Sequence, residues 1–246
     1  MRFLVGAITA GMMTLVSAVF YLISIPFDSK NRSFSFIAYW WSRAVFAVTG
    51  IKVRAVGLEK IDASKTYVYV SNHASLFDIP AVVIAINRYV RFVAKKEIAR
   101  IPIFGWVTAR ANIVVDRKSG PDSARSIEKA ARRIALGESV IMFAEGTRTR
   151  DGSLLPFKRG AFSLAINAGV PVVPLTILGS YEIMRKGDLA VRKGVITIVV
   201  DRPLDIREYR EKQGAITLMN KVRDIIEKNY TAKKTVGLGF AAQNVS

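Results

Sequence analysis

The sequence predicts an α/β protein with a largely parallel sheet and helical cover. Two observations carry that reading. From Ile51 onward, short apolar runs rich in β-branched residues alternate with stretches of helical period, the pattern of strands joined by crossover helices. Polar clusters also follow four of those runs: Ser71 to Asp78, Lys95-Lys96, Asp116-Arg117 and Ala144 to Arg148. In open α/β sheets, ligands bind at the carboxyl ends of strands. A chain of 246 residues can bury the core of one such domain.

The elements follow in order. Leu4 to Phe27 holds no charged residue over 24 positions, about 36 Å of helix against a hydrocarbon core of about 30 Å. A cleaved signal peptide is the competing reading, but its apolar region would be shorter and only Arg2 and the terminal amine supply a basic start. After Asp28 to Arg32 comes a second apolar piece, Phe34 to Val48, carrying Tyr39, Trp40, Trp41 and Arg43. Aromatic residues and a cation in an apolar helix mark the membrane interface. Residues 1–50 are therefore expected to be a pair of membrane-anchoring helices, spanning or dipping into one leaflet, and 51–246 the main domain. The Lys and Arg content of that domain places it on the cytoplasmic face of the cell membrane. Within it, Ile51–Val56, Thr66–Ser71, Arg91–Ala94, Asn112–Asp116, Ser139–Ala144, Pro171–Leu178 and Val195–Val200 read as strands. Ile79–Asn87, Ser123–Leu136, Lys158–Asn167 and Ile216–Tyr230 read as helices; Gly137 and Gly169 stop the second and third.

Composition narrows the chemistry. There is no cysteine, which removes disulfides, thiolate metal sites and a cysteine nucleophile. With a single histidine, no transition-metal site is expected. The net charge of +18 suits nucleic acid, an anionic membrane surface or acidic substrates. A positive mean hydropathy beside that charge favours the membrane surface. No nucleic-acid reading motif is present.

The one histidine, His73, sits just past the strand ending at Ser71, and Asp78 sits where the next helix begins. An imidazole, ordinarily titrating near about 6.5, accepts protons near neutral pH, and a carboxylate beside it fixes the tautomer and stabilises the imidazolium. Asp78 reads as an N-cap with Pro80 in the first turn, so residues 73–77 are expected to fold back and join the two side chains. The bland alternative is a structural histidine at a strand end. Ser75 as a nucleophile lacks the Gly-x-Ser-x-Gly setting. The second cluster, Glu145-Gly146-Thr147-Arg148, combines a tight turn, a hydroxyl, backbone amides and a guanidinium, the means to surround a phosphate. A solvated turn with surface cations is its bland alternative.

Asn72-His73 with Asp78 resembles the His-x4-Asp signature of the glycerolipid acyltransferases. Lys95-Lys96-Glu97, Pro102, Gly105, Trp106 and Asp116-Arg117 resemble the second block of the lysophosphatidic acid acyltransferase branch. Phe143 to Arg148 resembles the Phe-Pro-Glu-Gly-Thr-Arg block, with Ala144 where the family usually has proline. Val170 to Pro174 resembles the fourth block. The four blocks stand in the family's order across roughly residues 70–178.

The resemblance implies the acyltransferase-like α/β fold and transfer of a fatty acyl group from an acyl thioester to the 2-hydroxyl of 1-acyl-glycerol-3-phosphate, giving phosphatidic acid. His73 would be the general base and Asp78 its orienting group. Gly146, Thr147 and Arg148, with Lys95 and Arg117, would hold the acceptor phosphate. Glu145 would orient Arg148 or the loop, since a carboxylate facing a phosphate is unfavourable. Val170, Pro171, Val172 and Pro174 would line an acyl groove, or simply form a buried strand. No cofactor is implied beyond the co-substrate, acyl-CoA or acyl carrier protein. The partners implied are membrane lipids and that donor. A different lysolipid or glycerol-3-phosphate as acceptor, and a non-catalytic lipid-binding protein of the same fold, are the competing functions.

Overall fold

The computed structural model describes residues 2–28, 32–97, 99, 104–115 and 121–235. The elements are α1 (Arg2–Ser24), α2 (Arg32–Thr49), β1 (Lys52–Val56), β2 (Val68–Ser71), α3 (Asp78–Ile86), β3 (Val90–Lys95), α4 (Phe104–Ala111), β4 (Ile113–Val115), α5 (Pro121–Ala135), β5 (Ser139–Phe143), α6 (Gly160–Ala168), β6 (Val172–Leu178), α7 (Ser180–Ile183), β7 (Val195–Val200) and α8 (Gly214–Thr235). The strands form one sheet in the order β1-β7-β6-β2-β5-β3-β4. Every pairing is parallel except β6 with β7. The expected α/β class with a largely parallel sheet is what the chain adopts.

The sheet is buried on both faces, which explains why its central strands read as continuous apolar runs. Side chains alternate across it with the period of two of extended chain. Val68 and Val70 of β2 pack with Ile134 of α5, Phe162 and Ala165 of α6 and Val222 of α8. Tyr67 and Tyr69 point the other way, into a cluster with Ala81 and Val82 of α3 and Val45 and Phe46 of α2. The last two residues carry α2 onto the domain, with the Phe46 ring 5.9 Å from that of Phe77.

Helix α1 lies along α2. Trp41 Nε1 donates to Thr14 Oγ1 at 3.2 Å, and the Tyr21 and Phe34 rings meet edge-on at 5.4 Å. Met12, Leu15, Val16, Val19, Phe20 and Ile23, spaced three and four apart on one side of α1, are exposed. Among the described residues, no helix is long and apolar enough to cross a membrane.

The antiparallel turn between β6 and β7 has a local cause. A parallel crossover needs a dozen or more residues, usually with a substantial helix, and residues 179–194 hold only the four-residue α7. Gly179 (φ +88°) starts the reversal, where an added Cβ would lie 2.2 Å from the Val195 carbonyl oxygen. The start of β7 therefore returns to the carboxyl end of β6.

Just beyond β2, Asn72 ties that end together. Its Nδ2 donates to Ile177 O at 3.0 Å and its Oδ1 accepts from Ile177 N at 2.8 Å, with the side chain buried. Asn72→Ala strands both backbone groups of Ile177. The expected loss is about 2 kcal/mol or more of unfolding free energy, read as a lowered urea midpoint at constant slope.

Candidate active site

Register builds the site. β2 and β5 are parallel neighbours with Ser71 opposite Phe143. Two residues beyond each strand position stand His73 and Glu145. His73 is held at both of its backbone groups by the loop after β5. Its N–H donates to Glu145 Oε1 at 2.9 Å, and its carbonyl accepts from Thr149 N at 3.0 Å. The ring lies on that of Phe143, with centroids 4.0 Å apart and planes 15° from parallel.

Residues 73–77 fold back as expected, and His73 Nδ1 is 2.8 Å from Asp78 Oδ2. The reason differs in one respect from the sequence reading. Asp78 is the first residue of α3, and Phe77 is its N-cap. The carboxylate turns back into the loop, where Oδ2 also accepts from Ala74 N at 2.7 Å and Ser75 N at 2.9 Å. An oxygen that receives two N–H groups is an acceptor, so the shared proton resides on Nδ1 and leaves the Nε2 lone pair free. The Asp78 side chain is fully buried, while the imidazole is 15% exposed. Ser75 is enclosed as well, its Oγ accepting from Phe77 N at 3.3 Å. It belongs to the turn.

Glu145 is 3% exposed. Its two carboxylate oxygens accept from His73 N and from Leu155 N, the latter at 3.2 Å. Burial is the main cause that pushes its pKa up, to about 7; the two backbone N–H groups oppose the rise and the neighbouring Asp78 charge adds to it. Glu145 thus braces the histidine backbone and does not touch Arg148.

Gly146 (φ +70°) makes the turn that follows, with its N–H on Phe143 O at 3.1 Å. Thr147 and Arg148 come next on the surface of the same loop. Among the described residues the half-buried Arg148 guanidinium has no hydrogen-bond or ion-pair partner. Lys95 closes β3, two strands away from β2 across β5; its side chain, and all of Arg117, lie outside the described residues.

An apolar cavity of about 1170 Å³ begins at His73 and Gly146. Residues of α1, α2, α3, β3 and α4 line it, with Tyr21 and Tyr89 among the lining side chains. Val90, Phe92, Val93 and Ala94 all line it, so it follows β3 for about 13 Å. Val170, Pro171, Val172 and Pro174 do not line it. Val172 pairs with Val68, whereas Ser71 is level with Leu175, which places Val172 about 16 Å down the strand from the level of His73. Val172 is fully buried and Val170 packs on the core beneath α6 and α8. The fourth block lies on a buried strand, and the cavity beside His73 is walled in part by the N-terminal helices.

A model of the acyltransferase family matches residues 52–178, just over half of the chain. This chain belongs to the acyltransferase family. It is 33% identical over 205 residues to the 1-acyl-sn-glycerol-3-phosphate acyltransferase of Haemophilus influenzae, covering 81% of this chain and 82% of that one. The chloroplastic 1-acyl-sn-glycerol-3-phosphate acyltransferase BAT2 of Brassica napus is 34% identical over 205 residues, or 80% of this chain. The alignment spans 59% of that longer relative. The crystal structure of PlsC, the 1-acyl-sn-glycerophosphate (LPA) acyltransferase of Thermotoga maritima, superposes with a TM-score of 0.78 at 25% identity, over 95% of this chain and 98% of that one. The acyltransferase match includes both the His73 loop and the Glu145 loop.

Sequence reasoning missed the Phe143 stacking and the Thr149 hydrogen bond. The first had a signal, since Phe143 opens its block. The second had none, because a backbone N–H carries no residue preference.

The raised pKa of Glu145 makes stability depend on pH. The neutral acid is the favoured buried form, so its contribution is complete below the ordinary value of 4.5 and is lost as pH rises through about 7, on the order of 3 kcal/mol in all. Glu145→Gln removes this dependence. The Tm of the wild type minus that of the variant should be larger at pH 5 than at pH 8, by differential scanning calorimetry; a pH-independent difference would contradict the assignment.

Proposed function

We propose that this protein moves a fatty acyl group from an acyl thioester, on coenzyme A or acyl carrier protein, to the 2-hydroxyl of 1-acyl-glycerol-3-phosphate, forming phosphatidic acid. The observation that carries the reading is the His73–Asp78 pair, with Nε2 free, at the end of a large apolar cavity. Nε2 takes the hydroxyl proton as the oxygen attacks the thioester carbonyl. Asp78 stabilises the imidazolium. Collapse of the tetrahedral adduct forms the ester and breaks the carbon–sulfur bond, and the proton held by His73 passes to the departing thiolate. The products are an ester and a free thiol. No enzyme nucleophile is required, because the thioester is already activated.

The cavity suits an acyl chain. Its volume exceeds the roughly 300–1,000 Å³ of common small-molecule sites, and its lining is chiefly aliphatic and aromatic. Arg148, unpaired among the described residues, suits the acceptor phosphate, with Gly146 and Thr147 beside it; Lys95 and Arg117 are the further cations that the family resemblance implies for it. The exposed apolar side of α1 and the net charge of +18 support residence at an anionic bilayer surface, on its cytoplasmic face. There both the acceptor and the product keep their chains in the lipid.

The test is acyl transfer by detergent-purified protein, with oleoyl-CoA or oleoyl-acyl carrier protein as donor and lysophosphatidic acid, glycerol-3-phosphate or lysophosphatidylcholine as acceptor. Product with lysophosphatidic acid alone is expected. No product from any pair would leave a non-catalytic lipid-binding protein. His73→Ala should lower turnover by about 10²–10⁴-fold while lysophosphatidic acid still binds. Arg148→Ala should raise the KM for lysophosphatidic acid, by about 10-fold or more, with little change in kcat. A fall in kcat alone would move Arg148 from binding to chemistry.

A further inference from the structure

The Thr147–Arg148 segment is the part of the active-site loop that its own neighbours leave unheld. Glu145 is fixed through His73 and Leu155, Gly146 through Phe143, and Thr149 through His73. Between these points, the Thr147 hydroxyl and the Arg148 carbonyl are held from a distant part of the chain. Lys186 Nζ is 3.0 Å from Thr147 Oγ1 and 3.3 Å from Arg148 O. Lys186 follows α7 and lies beyond the segment that matches the family, 52–178. The antiparallel return of β7 is what brings residues 179–194 to the same end of the sheet as His73.

One further contact fastens that segment to the loop, and another holds the segment itself. Tyr181 OH donates to Arg150 O at 3.0 Å, and Arg185 sits over the Tyr181 ring at 5.2 Å. The position of Lys186 is therefore built. Its charge is the informative feature. Two of its three N–H groups go to neutral oxygens, and among the described residues it has no carboxylate partner. Arg148, on the same short stretch, also has none. Two uncompensated cations repel each other unless a shared anion joins them, and a dianionic phosphate monoester has the charge and the oxygens to do so.

We infer that Lys186 is a positioning residue for acceptor recognition: it clamps the Thr147–Arg148 backbone and sets a second positive charge beside Arg148 for the phosphate of the lysolipid. The inference rests on the acyltransferase reading above. It explains how the acceptor site gains charge from a part of the chain outside the four blocks.

Steady-state acylation of 1-oleoyl-lysophosphatidic acid in mixed micelles, at saturating donor, tests it with three variants. Lys186→Gln keeps donors for the two loop oxygens and removes the charge. Lys186→Met removes both, and Lys186→Arg keeps the charge. For Gln and Met, the KM for the lysolipid should rise about 10-fold with kcat within about two-fold, and Arg should restore most of the loss. The KM of the Gln variant should also rise less steeply with added NaCl than that of the wild type, because one screened attraction is gone. An unchanged KM in the Gln variant overturns the inference even if the Met variant fails to fold. A fall in kcat at unchanged KM also overturns it, by making Lys186 a support for His73 alone. If the wild type does not acylate this acceptor, the functional reading fails and takes the inference with it.

Discussion

The active-site geometry depends on the parallel register of β2 against β5. Ser71 opposite Phe143 puts the two loops that leave those strands side by side and at the same height. Everything polar follows from that. The loop after β5 supplies a carboxylate to the His73 N–H and an N–H to its carbonyl, and the last residue of β5 supplies a ring beneath the imidazole. A shift of one residue in this pairing would reverse which side chains face each layer of the core. The site is thus as well specified as the core itself, because the same hydrogen bonds define both.

Two buried carboxylates work in this small volume, and their surroundings divide the tasks. Asp78 gathers three donors on a single oxygen, one of them the imidazole. Glu145 has only backbone partners for its own two oxygens, and burial pushes it up to about 7. One acid therefore governs the tautomer of His73, and the other holds the chain that carries the imidazole. Neither contacts Arg148 or Lys186, two cations with no carboxylate partner among the described residues.

Much of this was legible in the sequence, for identifiable reasons. The central strands carried a strong signal because both faces of the sheet are covered, and the predicted Thr66–Ser71, Ser139–Ala144 and Pro171–Leu178 contain β2, β5 and β6. The His73–Asp78 contact was legible because both ends lie in one short loop. Helix α4 was not, since Gly105 and Trp106 stood out as motif residues and its eight residues give only two turns of periodicity. Val170 to Pro174 left two readings open for a related reason. An apolar run shows that a strand is buried, while which end of it faces a ligand depends on pairing partners far away in the chain. The antiparallel β7, the groove walls and Lys186 depend on such distant partners too. Asp78 was assigned a forward cap, where a carboxylate usually satisfies the helix; here the three donors of the preceding loop compete more strongly.

The division of labour around the cavity has an evolutionary consequence. One wall comes from β3 and α3, inside the segment common to the family, and the other from α1 and α2, ahead of it. The two walls are therefore encoded in separate stretches of the gene, one of them together with the His73 loop. Substitutions in the N-terminal hairpin can remodel one wall of the cavity without touching the register that holds His73. Cavity shape can in this way vary while the His73 loop stays as it is.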